Sequence, residues 1–164
     1  TFLAWDQSSG STGTYVNAST TGGTTAFSTA VDTITVNVSS INDAPVLDNT
    51  GNMSLTTINE DATNNSGQSV ASIVASAGGD HVTDVDLGAI EGIAITATTN
   101  GSGTWQYSTD NGSTWNNVGT VLDSSALLLR ATDLVRFIPN GENATTGDIT
   151  FRAWDQTAGT AGTK

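Results

Sequence analysis

Carboxylates are the reactive groups that this sequence supplies in number. Its 164 residues include 16 aspartates and glutamates but only 4 lysines and arginines, which gives a formal net charge of −12. Carboxylate oxygens are the ligands that hard divalent cations prefer. Nucleic acids and anionic lipids are bound through clustered lysine and arginine, so the composition argues against both as partners. The alternative interpretation is that the acidity only keeps an extracellular polymer soluble.

Candidates for catalysis are few. The single histidine, His81, has the acidic neighbours Asp80 and Asp84, but there is no cysteine to act as its partner and no Gly-X-Ser-X-Gly segment. The acidic residues would permit a glycosidase-like pair of carboxylates, yet no spacing singles one out. We therefore predict that the chain is not an enzyme.

A third polar pattern predicts a turn. The segment from Ser108 to Trp115 reads Ser-Thr-Asp-Asn-Gly-Ser-Thr-Trp and matches the Asp-box pattern Ser-X-Asp-X-Gly-X-Thr-Trp. In this pattern Asp110 bonds the amides of the turn, Gly112 takes a positive φ and Trp115 packs beneath. Its role is structural, so it carries no catalytic information.

The chain that must position these residues contains an internal repeat. Thr1–Gln7 reads TFLAWDQ and Thr150–Gln156 reads TFRAWDQ, so the two copies lie 149 positions apart and differ at one residue. A fixed period is typical of an array of equivalent units. We interpret the chain as one repeat plus a short overlap.

Short alternating runs rich in β-branched residues predict an all-β fold with almost no helix. Their number and spacing favour a β-sandwich of the immunoglobulin or cadherin type, with Greek-key connections. The expected strands are residues 1–5, 30–38, 46–47 with 53–58, 68–75, 92–98, 104–108, 115–118, 127–130, 134–138 and 149–153.

The repeat divides the chain unevenly. Residues 1–42 are expected to be the C-terminal hairpin and linker of one repeat, and residues 43–164 the first strands of the next. The second part then lacks a counterpart of the strand 30–38. That strand could come from a neighbouring repeat, from an identical subunit, or from the chain's own N-terminal hairpin, because exposed strand edges do not stay empty.

The segment Ile41-Asn42-Asp43-Ala44-Pro45 is the most specific local signal, since Pro45 ends any strand and holds Ala44 extended. It resembles the linker of cadherin-type repeats, which reads Asn-Asp-Asn-Ala-Pro. Three further segments resemble that family's motifs in the same order: Asn59-Glu60-Asp61, Asp84-Val85-Asp86-Leu87-Gly88 and Ala153-Trp154-Asp155. The chain as a whole is similar to the cadherin-like tandem repeats of large bacterial surface adhesins.

The resemblance implies calcium at the joint between repeats. It assigns as ligands Asn42, Asp43, Glu60, Asp84, Asp86 and Asp155, with Asp6 as the counterpart of Asp155 in the first copy. Two departures leave the number of ions open. Ser39 and Ser40 stand where the family's first acidic residue would be, and no acidic pair precedes the strand 134–138.

The leading hypothesis is therefore a structural or adhesive repeat of an extracellular, cell-surface protein or filament. The absence of cysteine fits a bacterial surface protein better than a disulfide-bonded secreted module. Its partners would be neighbouring repeats or identical subunits, joined by strand complementation. The alternatives are a carbohydrate- or surface-binding module, which would bind surface glycans, and a non-catalytic accessory domain of a secreted hydrolase. No apolar run is long enough to insert in a membrane.

Overall fold

Antiparallel strands make up almost all of the regular structure, as the alternating sequence predicts. The computed structural model describes residues 1–164 and contains eleven strands and one helix of six residues. It divides into two compact units, Thr1–Ser40 and Ile41–Lys164. The boundary expected after residue 42 lies close to this division, and Asn42 belongs to the second unit.

The first unit is built on one hairpin. Strand β1 (Phe2–Trp5) pairs antiparallel with β2 (Phe27–Asp32), and Leu3 lies opposite Val31. The expected strand 30–38 is wrong in its second half, because β2 ends at Asp32 and residues 33–38 form no strand. The apolar side chains of Ile34, Val36 and Val38 are consequently 81%, 82% and 90% exposed.

The second unit contains two larger sheets. In one, β4 (Gln68–Ser69), β10 (Leu134–Pro139), β7 (Gly103–Ser108) and β8 (Asn116–Asn117) lie side by side in that order. In the other, β6 (Gly92–Thr99) lies between β11 (Asp148–Trp154) and β9 (Leu127–Arg130). A small pair joins β3 (Val46–Leu47) to β5 (Val82–Thr83). The expected strands in these regions are confirmed to within a few residues.

Side chains from both larger sheets meet in one core. Trp105 lies edge-to-face against Phe137 with ring centroids 5.0 Å apart, and its indole Nε1 donates to the carbonyl of Thr99 at 3.0 Å. The indole N–H is therefore satisfied although the ring is buried. The fully buried members are Val70, Ile93, Ile95, Val118, Leu127, Leu129 and Val135.

Two strand predictions in this unit are wrong. Residues 68–75 form only the short β4, followed by helix α1 (Val70–Ala75), which begins where Ser69 Oγ accepts the amide of Ser72 at 3.2 Å. Val70 and Ile73, three residues apart, then bury the same face. Residues 53–58 pair with no strand, and the amides of Ser54 and Thr56 bond instead to side chains.

The two copies of the repeated segment adopt the same local structure. Trp5 Nε1 donates to the carbonyl of Ser9 at 2.7 Å, and Trp154 Nε1 donates to the carbonyl of Ala158 at 2.7 Å. The residue after each Trp-Asp pair is a glutamine at positive φ, 64° at Gln7 and 63° at Gln156. The equivalence continues past the heptapeptide, with matching glycines at positive φ (Gly10 and Gly159, Gly13 and Gly162) and matching bonds from Thr14 to Ser11 and from Thr163 to Thr160.

Candidate metal centre

Strand pairing brings three acidic segments together at one end of the second unit. Asp84 and Asp86 lie in the loop after β5, and Asp155 directly follows β11. Asn42 and Asp43 precede β3, whose Val46 pairs with Thr83 of β5. This pairing places the Asn-Asp segment beside the Asp-X-Asp loop, although the two lie about forty residues apart in the sequence.

A chain of hydrogen bonds links these segments. Asn42 Nδ2 donates to Asp155 Oδ2 at 2.8 Å, and the Asp43 amide donates to Asp86 Oδ2 at 2.8 Å. The Asp86 amide in turn donates to Asp84 Oδ1 at 2.9 Å, the bond of an Asx-turn. Five of the seven residues that the resemblance assigns to calcium therefore lie in one connected network.

The other oxygen of Asp84 has no partner. Asp84 Oδ2 is shielded from solvent and accepts no hydrogen bond. Asp84 also lines a cleft of about 250 Å³, together with Asp80, Asp86, Glu91 and Asp155 and with no lysine, arginine or histidine. A buried acceptor without a donor is costly and calls for a cation, a water or a strain to explain it.

The hydrogen bonds favour the charged form of one of these carboxylates. The Asn42 amide and the amide and hydroxyl of Thr157 hold the pKa of Asp155 below its usual value. The pKa of Asp6 is lowered in the same way by its bonds with Ser8. Both residues therefore carry their charge at neutral pH, as a cation ligand must.

The remaining two candidates lie elsewhere. Asp6 belongs to the first unit, where its Oδ1 accepts the Ser8 amide at 2.8 Å. Glu60 lies in an exposed turn and does not line the cleft. Conversely, Asp80 and Glu91 line the cleft but were not among the sequence candidates. Their position just before β5 and β6 was the available signal, since loops at one end of paired strands converge.

The oxygens fit a hard cation in type but are not gathered around one point. No three acidic or histidine side chains lie together as a metal-binding group. The reason is visible in the network, where carboxylate oxygens of Asp86 and Asp155 face amide donors. Turning the Asn42 amide would exchange its donor for an acceptor, and would release Asp155 Oδ2 toward the cleft.

His81 is held by carbonyl groups. Its Nδ1 lies 3.0 Å from the carbonyl of Asp48 and its Nε2 lies 2.7 Å from the carbonyl of Gly78, while the side chain is almost fully buried. These backbone hydrogen bonds, that with Asp48 foremost, raise the pKa of His81. With an acceptor at each nitrogen, the imidazolium form is favoured and neither nitrogen is open to a substrate.

The predicted Asp-box turn is confirmed. Asp110 accepts the amide and hydroxyl of Thr114 at 2.9 and 2.6 Å and the hydroxyl of Ser108 at 2.7 Å, which lowers its pKa to about 2. Gly112 has φ 85°, and Arg136 covers the ring of Trp115 at 3.9 Å. Trp105 is buried, and the other three indoles of the chain are half-buried.

Comparisons with protein-family models, with curated proteins and with solved structures found no match. The resemblance to cadherin-type repeats therefore stays a prediction, and the cleft is interpreted from its own chemistry. The chain has no helix with the length and apolar character needed to cross a lipid bilayer.

Proposed function

We propose that this chain is a structural, adhesive repeat of an extracellular bacterial surface protein or filament, with calcium stiffening the joint between repeats. The observation that carries the proposal is the unpartnered Oδ2 of Asp84, a residue that lines a cleft with four other carboxylate residues and no basic one. Calcium takes six to eight oxygen ligands from carboxylates, amide and backbone carbonyls and water, which is the chemistry this cleft supplies.

The position of the cleft explains why a cation there would matter mechanically. Asn42 and Asp43 follow directly on the boundary between the two units, at Ser40 and Ile41. Calcium held by Asp84, Asp86 and Asp155 would offset the repulsion among these carboxylates. Recruiting Asn42 or the Asp43 carbonyl as well would fix the start of the second unit, where it follows the first in the sequence.

The finer fold assignment belongs to the same proposal. Two sheets that share one core, with β10 between β4 and β7, support a cadherin-like β-sandwich with Greek-key connections. The matched turns after Trp5 and Trp154 support tandem repeats with a period of 149 residues. No catalytic role is proposed.

Small-angle X-ray scattering of the whole chain, in calcium and in excess EDTA, tests the proposal. We expect calcium to narrow the distribution of intramolecular distances, and we expect the double variant Asp84→Ala with Asp86→Ala to lose this response. A scattering profile that is the same with calcium and with EDTA would refute the proposal that calcium stiffens the joint.

A further inference from the structure

The core of the second unit is open along one side. Strand β11 has β6 on one side and no strand on the other, so the backbone groups of its outer edge form no ladder. Beside this edge lies a groove of about 660 Å³ whose apolar lining includes Leu55, Ile58, Trp105, Phe137, Ile149 and Phe151. Four of these side chains are only partly buried against the core. An apolar groove beside an unpaired strand edge is the arrangement that binds an added strand.

The first unit shows what pairs with this strand sequence. There β1, the first copy of the repeated segment, pairs antiparallel with β2, with Phe2 opposite Asp32 and Leu3 opposite Val31. A hydrogen bond of 3.2 Å between the hydroxyls of Thr1 and Thr33 continues the same register. The second copy, in β11, has the same sequence except at Arg152 and the same turn after its tryptophan, but its outer edge has no such partner.

Applying the β1–β2 register to β11, 149 residues later, predicts which residues of an added strand would lie opposite β11. Arg152 would lie opposite Val31, Phe151 opposite Asp32 and, two residues further, Ile149 opposite Ile34. Residues directly opposite each other share a face of the sheet, and residues two apart in a strand share it too. Ile34, Val36 and Val38 therefore project on the side of Ile149 and Phe151, which both line the groove.

We propose that the groove binds residues 30–38 of a second copy of this chain as an added antiparallel strand on β11, in the register Arg152 opposite Val31. Because β1 holds the same edge of β2 in its own unit, β2 would exchange β1 for β11 on binding. The inference deepens the proposed function by naming the partner segment. It explains two otherwise unrelated features of the chain, the three apolar side chains exposed by more than four-fifths in the first unit and the open core of the second. Burial of these side chains in the groove would supply the driving force.

Disulfide trapping tests both the partner and the register, because the chain contains no cysteine. Two single variants of the whole chain, Val31→Cys and Arg152→Cys, are mixed and oxidised. In the proposed register the two Cα atoms are within disulfide range, so a cross-linked heterodimer is expected. In the matched control, Val31→Cys is mixed with Thr150→Cys, which lies on the same face two residues away. Cross-linking there should be at least about tenfold slower, because the diagonal separation is too long for a disulfide.

A further substitution at an exposed position tests the proposed contact without disturbing the fold of the first unit. Ile34 is exposed in its own unit, so Ile34→Asp should not affect that unit, but it places a charge opposite Ile149 and should suppress the cross-link. Equal yields from the Arg152 and Thr150 partners would overturn the register. No cross-link at all, or closure within one molecule in the double variant Val31→Cys with Arg152→Cys, would overturn the second copy as partner. Each reaction is run in calcium and in EDTA. Because the groove does not require the cation, the cross-link should form in both, so the result tests strand addition independently of calcium binding.

Discussion

Calcium is expected to raise the melting temperature of this chain through Asp84. Binding to the folded state alone stabilises it by RT ln(1 + [L]/Kd), which is about 2.7 kcal/mol at a free calcium concentration one hundred times Kd. For a chain of this length each kcal/mol moves the melting temperature by about 2–4 °C, so we expect a rise of about 5–10 °C. Asp84→Asn removes one charge and the buried acceptor Oδ2, and should abolish most of that rise.

Differential scanning calorimetry in calcium and in EDTA measures this shift. Glu60→Gln is the matched control, because the family resemblance assigns Glu60 to calcium whereas the structure places it in an exposed turn away from the cleft. It should keep the full calcium response. Magnesium should give a smaller shift, since it demands near-ideal octahedral geometry. An unchanged melting temperature in calcium, or an equal loss of response in both variants, would refute the reasoning.

Three further predictions concern the framework. Asp133 is fully buried and accepts hydrogen bonds from both the amide and the guanidinium of the partly exposed Arg130. Asp133→Asn should therefore lower the free energy of unfolding, measured in urea, by about 2–3 kcal/mol. The control Asp123→Asn, in an exposed ion pair, should lower it by under about 1 kcal/mol. The pKa of His81 is raised in the folded state, so its contribution to stability is complete below about pH 6.5 and is lost as pH rises through the folded pKa. The free energy of unfolding, measured over a pH series, should therefore fall across that window. In His81→Gln this fall should disappear. Gly112 has φ 85°, and Gly112→Ala should destabilise the Asp-box hairpin by about 1 kcal/mol, seen as faster amide exchange in its residues.

How far the sequence predicts the fold depends on where each segment finds its partner. Strands β6 and β9 alternate and are buried by neighbours inside the second unit, so their patterns and their structures agree. The stretch 70–75 has apolar residues at spacings that suit strand or helix, and the cap of Ser69 decides for helix. Residues 33–38 and 53–58 carry strand patterns but pair with nothing, because a pattern records what a segment can bury and not whether the partner is present.

The candidate site was likewise only partly predictable from the sequence. The motifs around Asp43, Asp84 and Asp155 can be recognised in the sequence, and the structure joins them in one hydrogen-bond network. Asp80 and Glu91 belong to no motif, and only the pairing of β3 with β5 and the placement of β6 bring them to the cleft. The orientation of Asn42, which donates to Asp155, could not be inferred from sequence because it depends on which acceptor lies nearest.

A crystal structure of the whole chain grown in calcium tests the proposed cleft most directly. We expect a cation with oxygen ligands at about 2.3–2.6 Å, among them Asp84 Oδ2 and oxygens of Asp86 and Asp155. A cleft in which Asp84 Oδ2 instead accepts a hydrogen bond from water or a side chain, with no cation density at saturating calcium, would contradict the proposal.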